Sequence, residues 1–164
     1  MNNTVTQQIG AVGQLNVESA LRPVLVGVAD RLSSQIFNTG GLAIKAGGSA
    51  LAKTVNTVYA VANGKYVALS AADIPALTVL NISAVAYNFA LFYVDSAGTT
   101  SVQFGREASS AAGVTFPETP QGNAIIGFLM ITYASAFTGG TTALDTATTV
   151  YVNTMGAFDP SIKI

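Results

Sequence analysis

The side chains able to do chemistry are few and of one kind. The chain has no histidine and no cysteine. That removes the commonest general base, the Ser-His-Asp and Cys-His arrangements, and most catalytic zinc sites. Disulfides and thiolate metal sites are excluded too, while the redox compartment stays open. What remains is carboxylate, chiefly Asp73, Asp95, Glu107, Glu118, Asp145 and Asp159 among the eight acidic residues, with Arg106 directly before Glu107. Two carboxylates facing one cleft would suit glycoside hydrolysis. These lie dispersed at predicted turns and strand ends, where Asp bonds nearby backbone, and they read as turn formers and solubilising charges. Asp95 with the Ser96 and Thr99 oxygens sketches a calcium site, but with too few ligands for a hard cation. Ala46-Gly47-Gly48-Ser49 lacks the lysine of a phosphate loop and reads as a turn. Tyr87, Phe89 and Tyr93 could tile a sugar-binding platform, although large aromatics at strand spacing belong more often to a core. The expectation is a protein that is not an enzyme, with no catalytic residue, cofactor or metal.

Composition points the same way. At 164 residues the chain is long enough for one domain with a real core. Half of it is hydrophobic and only 9% charged, against roughly 25% in an average soluble domain. A surface so poor in charge leaves apolar area to bury elsewhere, which favours self-association or docking on a larger assembly. Seven basic residues thinly scattered among eight acidic ones form no stripe to neutralise phosphates, so nucleic acid is not an expected partner. The amino terminus lacks the layout of a signal peptide. The longest apolar runs, Ala84–Val94 and Ala124–Phe137, fall short of the about 20 residues a spanning helix needs, so no membrane segment is expected.

The elements that must position these residues are mostly strands. Residues Met1 to Gln14 read as an extended or mobile arm. Leu21, Leu25, Val28, Leu32 and Ile36 then recur at helical spacing and predict one short amphipathic helix, starting near Arg22 or Pro23 and stopped by Asn38-Thr39-Gly40-Gly41. Its stripe needs a partner: its own domain, or copies of itself in a coiled coil. An extended arm with no helix is the remaining reading. Beyond Gly41 the period becomes two, predicting strands over Leu42–Ala46, Thr54–Val61, Lys65–Leu69 and Leu77–Ile82. Asn63-Gly64 between β-like runs is a hairpin signal.

The central hairpin spans Ala84 to Glu107. Val85, Tyr87, Phe89, Leu91 and Tyr93 share one face of its first strand, and the small residues Ala84, Ala86 and Ala90 share the other. The large face suits the domain's own core, and the small one a close approach by a second sheet or a neighbouring subunit. Ser109 to Gly122 reads as a long surface loop touching down at Val114 and Phe116. Ala124–Tyr133 is a strand buried on both faces, Thr148–Asn153 is the last clear strand, and Phe158 tucks down the tail. The sum is mainly β: an antiparallel β-sandwich or jelly-roll-like barrel with an N-terminal arm and one short helix. The arm and helix occupy residues 1–40 and the β-domain residues 41–164.

Three passages carry a resemblance: NTGGLAIKAGGSALAKTVNTVYAVANGKYV (Asn38–Val67), FALFYVDSAGTTSVQFGREA (Phe89–Ala108), and, within Phe116–Pro160, FPETPQGNAIIGFLMITY followed by FTGGTTALDTATTVYVNTMGAFDP. Together they resemble small virion structural proteins of tailed bacteriophages, the capsid decoration or cement proteins and head fibres. The likeness covers most of the chain after about Asn38. It implies a homotrimer bound to the major capsid protein on the surface of the phage head, made in the host cytoplasm. The alternative is a receptor- or glycan-binding fibre or spike module. The expected contact residues are Leu21, Leu25, Val28, Leu32 and Ile36 on the stripe, with Ala84, Ala86 and Ala90 on the small face.

Overall fold

Antiparallel pairing joins all the named strands of the structure, a computed structural model that describes residues 21, 22, 25, 28, 29 and 32–157. The arm before Leu21, Pro23, Phe158 and Asp159 lie outside the described residues. The strands are β1 (Gln35–Ile36), β2 (Leu42–Ile44), β3 (Ala52–Thr54), β4 (Val58–Ala62), β5 (Lys65–Leu69), β6 (Asn81–Ile82), β7 (Tyr87–Val94), β8 (Thr100–Phe104), β9 (Ala124–Thr132), β10 (Phe137–Thr138) and β11 (Thr148–Asn153). A three-stranded sheet runs β1-β4-β5 and a four-stranded sheet β11-β9-β7-β8, with the ribbons β2-β3 and β10-β6 beside them. Among the described residues the fold is mainly β with no closed barrel, compatible with a β-sandwich.

One core joins the two larger sheets. Ile36, Val58, Ala60, Ala62 and Val67 come from the three-stranded sheet, and Ala90, Phe92, Val94, Ala124, Ile126, Leu129 and Ile131 from the four-stranded one. The period of two explains the selection: in β4, Val58, Ala60 and Ala62 are buried while Tyr59 is exposed. β7 and β9 are largely buried on both faces, as their unbroken apolar sequences require. Between Phe92 and Tyr93 their register slips, leaving Ile126 unopposed in a β-bulge. Buried Thr154 caps this irregularity, its hydroxyl donating to the Ile125 carbonyl and its N–H to that of Ile126.

The other face of β7 is covered by the loop after β8. Arg106 N–H donates to the Thr115 carbonyl at 3.2 Å, and a Cβ on Gly105 would stand 2.4 Å from that same oxygen. Only glycine lets the returning loop come so near. Phe116 then reaches Phe89 and Phe128.

Four sequence expectations are corrected. Leu77–Ile82 is a strand only at Asn81–Ile82, because Leu80 N–H turns back to the Leu77 carbonyl. Thr54–Val61 is not one strand: the N–H groups of Val55 and Asn56 turn to the carbonyls of Gly40 and Gly41, separating β3 from β4. Ala84 and Val85 do not extend β7. Ala86 N–H bonds back to the Ser83 carbonyl and Val85 takes φ +57°, so the chain turns there. Finally, Ile36 is not on a helix. Its backbone pairs with Ala60 of β4 on one side and exchanges hydrogen bonds with Gly156 on the other. Asn38 prolongs the pairing through its side chain, donating to the Thr57 carbonyl and accepting from Tyr59 N–H. Long-range pairing on both edges overrides the helical spacing that links Ile36 to Leu32.

Candidate functional site

The described carboxylates with partners serve local structure. Asp95 Oδ1 accepts the Ala97 and Thr99 N–H groups in a tight turn. Asp73 pairs with Lys45, and Asp145 accepts the Gly48 N–H. Glu107 accepts the Ser83 N–H at 3.0 Å, and bonds from the Ser83 side chain and backbone hold its carboxyl below the ordinary 4.5. Burial, and then the nearby Asp145 charge, push the Tyr151 phenol above 10.0. Among the described residues no three His, Cys, Asp or Glu side chains are grouped as metal ligands. A half-open depression of about 330 Å³ lies between Leu69, Asp73, Ile74, Gly98 and Ile126. Its carboxylate is matched by Lys45, and Thr54, Ser70 and Thr100 add hydroxyls to its wall.

The surface that stands out is apolar. Leu21, Leu25, Val28 and Leu32 all have helical backbone and all are exposed, Leu32 at 68%. Three residues beyond Leu32 the chain enters β1 and becomes part of the sheet. Phe37, at its end, donates its N–H to the Tyr59 carbonyl at 2.8 Å and is itself exposed. Tyr59 and Tyr66 follow on the outer face of β4 and β5, both exposed, their rings 6.4 Å apart and 15° from parallel. The β4 alternation that buries Val58, Ala60 and Ala62 forces Tyr59 outward, and Tyr66 projects beside it because Tyr59 pairs with Ala68 and Val61 with Tyr66. The segment that leads into the domain and the sheet it joins thus both present large apolar side chains to solvent.

The expected contact residues divide accordingly. Leu21, Leu25, Val28 and Leu32 are on the surface. Ile36, 1% exposed, belongs to the core. Ala86 and Ala90 are also inside, in the shared core with the three-stranded sheet, so the small face of β7 is used within the domain; Ala84 is exposed on the turn. Of the proposed sugar platform, Phe89 is buried against Phe116 and Phe128 while Tyr87 and Tyr93 are half-buried. The exposed aromatics Phe37, Tyr59 and Tyr66 were not singled out in the sequence. The available signal was a tyrosine on the face opposite Val58, Ala60 and Ala62, where a polar residue would be usual. Among the described residues no helix is long and apolar enough to cross a membrane. Comparison with protein-family models, curated proteins and solved structures finds no match for this chain.

Proposed function

We propose that the protein is a non-enzymatic structural component of a phage head, a decoration or cement protein that binds the major capsid protein as a homotrimer. The observation that carries this reading is the exposure of Leu21, Leu25, Val28 and Leu32 on helical backbone that leads directly into β1. Such a stripe is poorly stable alone in water and gains by packing against copies or a partner. A charge-poor surface suits permanent contacts, and a symmetric shell turns a weak contact into firm attachment by repetition. The resemblance of Asn38–Val67, Phe89–Ala108 and Phe116–Pro160 to virion proteins supplies the partner.

The test is co-sedimentation of the purified full-length chain with undecorated phage heads, alongside analytical ultracentrifugation of the chain alone. A trimer that saturates the heads is expected, with both properties weakened by Leu25→Lys combined with Leu32→Lys. A chain that stays monomeric at high concentration and ignores heads overturns the reading.

A second reading is a glycan- or receptor-binding fibre or spike module, favoured by the exposed Tyr59–Tyr66 pair. Binding to a glycan array or host cells that is lost in Tyr66→Ala, without binding to heads, would select it.

A further inference from the structure

We propose that Asn63-Gly64 is a site of spontaneous deamidation, held in check by the docking of residues 33–36 onto the β4–β5 turn. It is the sole Asn-Gly pair in the chain, and both residues are exposed. With no side chain on Gly64, its backbone nitrogen has the least hindered path to the Asn63 carboxamide. The reaction needs that nitrogen to lose its proton to solvent base and swing onto Asn63 Cγ.

The folded turn opposes both requirements. Asn63 at φ +50° and Gly64 at φ +74° sit between the paired residues Ala62 and Lys65, the geometry of a two-residue hairpin. Gly64 N–H donates to the Ser33 carbonyl at 2.8 Å, which occupies the proton that has to leave. Asn63 N–H donates to Ser34 Oγ at 3.2 Å, fixing the residue that carries the electrophile. The Asn63 side chain itself runs along Gly122, where an added Cβ would lie 3.4 Å from Asn63 Cγ. Ser33 and Ser34 are placed by β1, whose Ile36 anchors the segment in the core. Undocking of β1 therefore frees the turn.

The balance is simple. Gly64 N forms a bond to Asn63 Cγ, the Cγ–Nδ2 bond breaks, and ammonia leaves with the proton from nitrogen. Water then opens the succinimide at one of its two carbonyls, giving aspartate or isoaspartate. One neutral side chain becomes a carboxylate beside Lys65 and Tyr66. The isoaspartyl product also adds a methylene to the backbone between the paired residues Ala62 and Lys65. The event is an irreversible record of how often the segment entering β1 has opened, and it alters the edge of the aromatic face. It is independent of the proposed function.

The experiment is incubation of the full-length protein at mildly alkaline pH, followed by peptide mapping with mass spectrometry for aspartate and isoaspartate at position 63. Native protein should react far more slowly than the same protein in urea. Ser34→Ala, which removes one hydrogen bond of ordinary strength, should speed the native reaction roughly fivefold through the opening equilibrium. Ile36→Ala should speed it further, and Asn63→Gln should abolish it. Hydrogen exchange at the Gly64 amide, read on the wild type and Ser34→Ala, keeps the test intact where Ile36→Ala fails to fold: it should accelerate in step with deamidation. Equal rates in native and urea-unfolded protein, or a Ser34→Ala variant no faster than wild type, overturn the proposal.

Discussion

The Phe116 ring lies face to face on Phe89, with centroids 4.2 Å apart and planes 6° from parallel. Phe128 meets both edge-on, at 5.4 Å from Phe89 and 4.8 Å from Phe116. One aromatic from a loop is thereby set into a sheet face built by β7 and β9. Leu91, opposite Phe128 in the ladder, is fully shielded from water. The loop is part of the fold's packing, because its aromatic completes a face that the core-side sheet does not cover.

Phe116→Ala should accordingly cost about 2 kcal/mol, less than a fully buried phenylalanine because Phe116 is half-buried. Phe116→Leu should recover part of it. Urea unfolding checks both. A loss below about 0.5 kcal/mol, the usual range for surface changes, would mean that the loop rests on the sheet without stabilising it.

Ile36 and Leu32 should behave as opposites despite their helical spacing. Ile36→Ala should cost about 3 kcal/mol, since it empties a core position. Leu32→Ala, on an exposed side chain, should change the stability of the monomer by no more than about 0.5 kcal/mol. Truncation before Ser33 should leave the β-domain folded, whereas truncation after Phe37 removes β1 and should lower the midpoint of thermal unfolding. Circular dichroism of the two truncations distinguishes the outcomes.

Val85 is a β-branched residue in the left-handed region, φ +57°, yet 67% exposed. Backbone strain of this kind costs of order 1 kcal/mol or more, and little packing is lost by replacing the side chain. Val85→Asn should therefore raise stability by about 1 kcal/mol. Val85→Gly should gain less, because glycine frees the unfolded chain. A thermal midpoint that falls in Val85→Asn would show that the valine side chain makes a contact worth more than the strain.

Two groups contribute to the pH dependence of stability, Glu107 only weakly because it is fully exposed to solvent. The Glu107 carboxyl is lowered from 4.5 by bonds from the Ser83 side chain and then its backbone. Its contribution is present above that ordinary value and is lost as pH falls below it through the folded-state value. Glu107→Gln should flatten this acid limb. Tyr151 is raised from 10.0 by burial and then by Asp145. It keeps its contribution below 10.0 and loses it as pH rises further. Tyr151→Phe should weaken the alkaline loss. Urea titrations across both limbs, wild type against variant, test each sign.

Strand faces and turns were legible because they depend on near neighbours. Lys65–Leu69 and Thr148–Asn153 are strands with the expected bounds, and Asn63-Gly64 turns the chain as its tolerance of positive φ requires. The two-sided burial expected of Ala124–Tyr133 holds over Ala124–Gly127, while beyond it Phe128, Met130 and Thr132 are half-buried on the face opposite Leu129 and Ile131. Along the helical stripe, Leu21, Leu25, Val28 and Leu32 carry the backbone that their spacing predicts.

Other features depended on residues far away in the chain. The spacing of Ile36 from Leu32 is equally good for a helix, and only pairing with Ala60 and Gly156 makes it a strand. The small side chains of Ala86 and Ala90 permit close approach, but not by any particular surface; the fold gives that place to its own core. Composition, by its lack of charge, required apolar surface without locating it. Tertiary structure located part of it at Leu21, Leu25, Val28 and Leu32, and part at Phe37, Tyr59 and Tyr66, the latter because the sheet that takes Ile36, Val58 and Val67 inward must turn the intervening side chains to solvent. Periodicity is a local property of the backbone and can be read along the chain. Which face is buried is a property of the partner, and only the folded molecule supplies one.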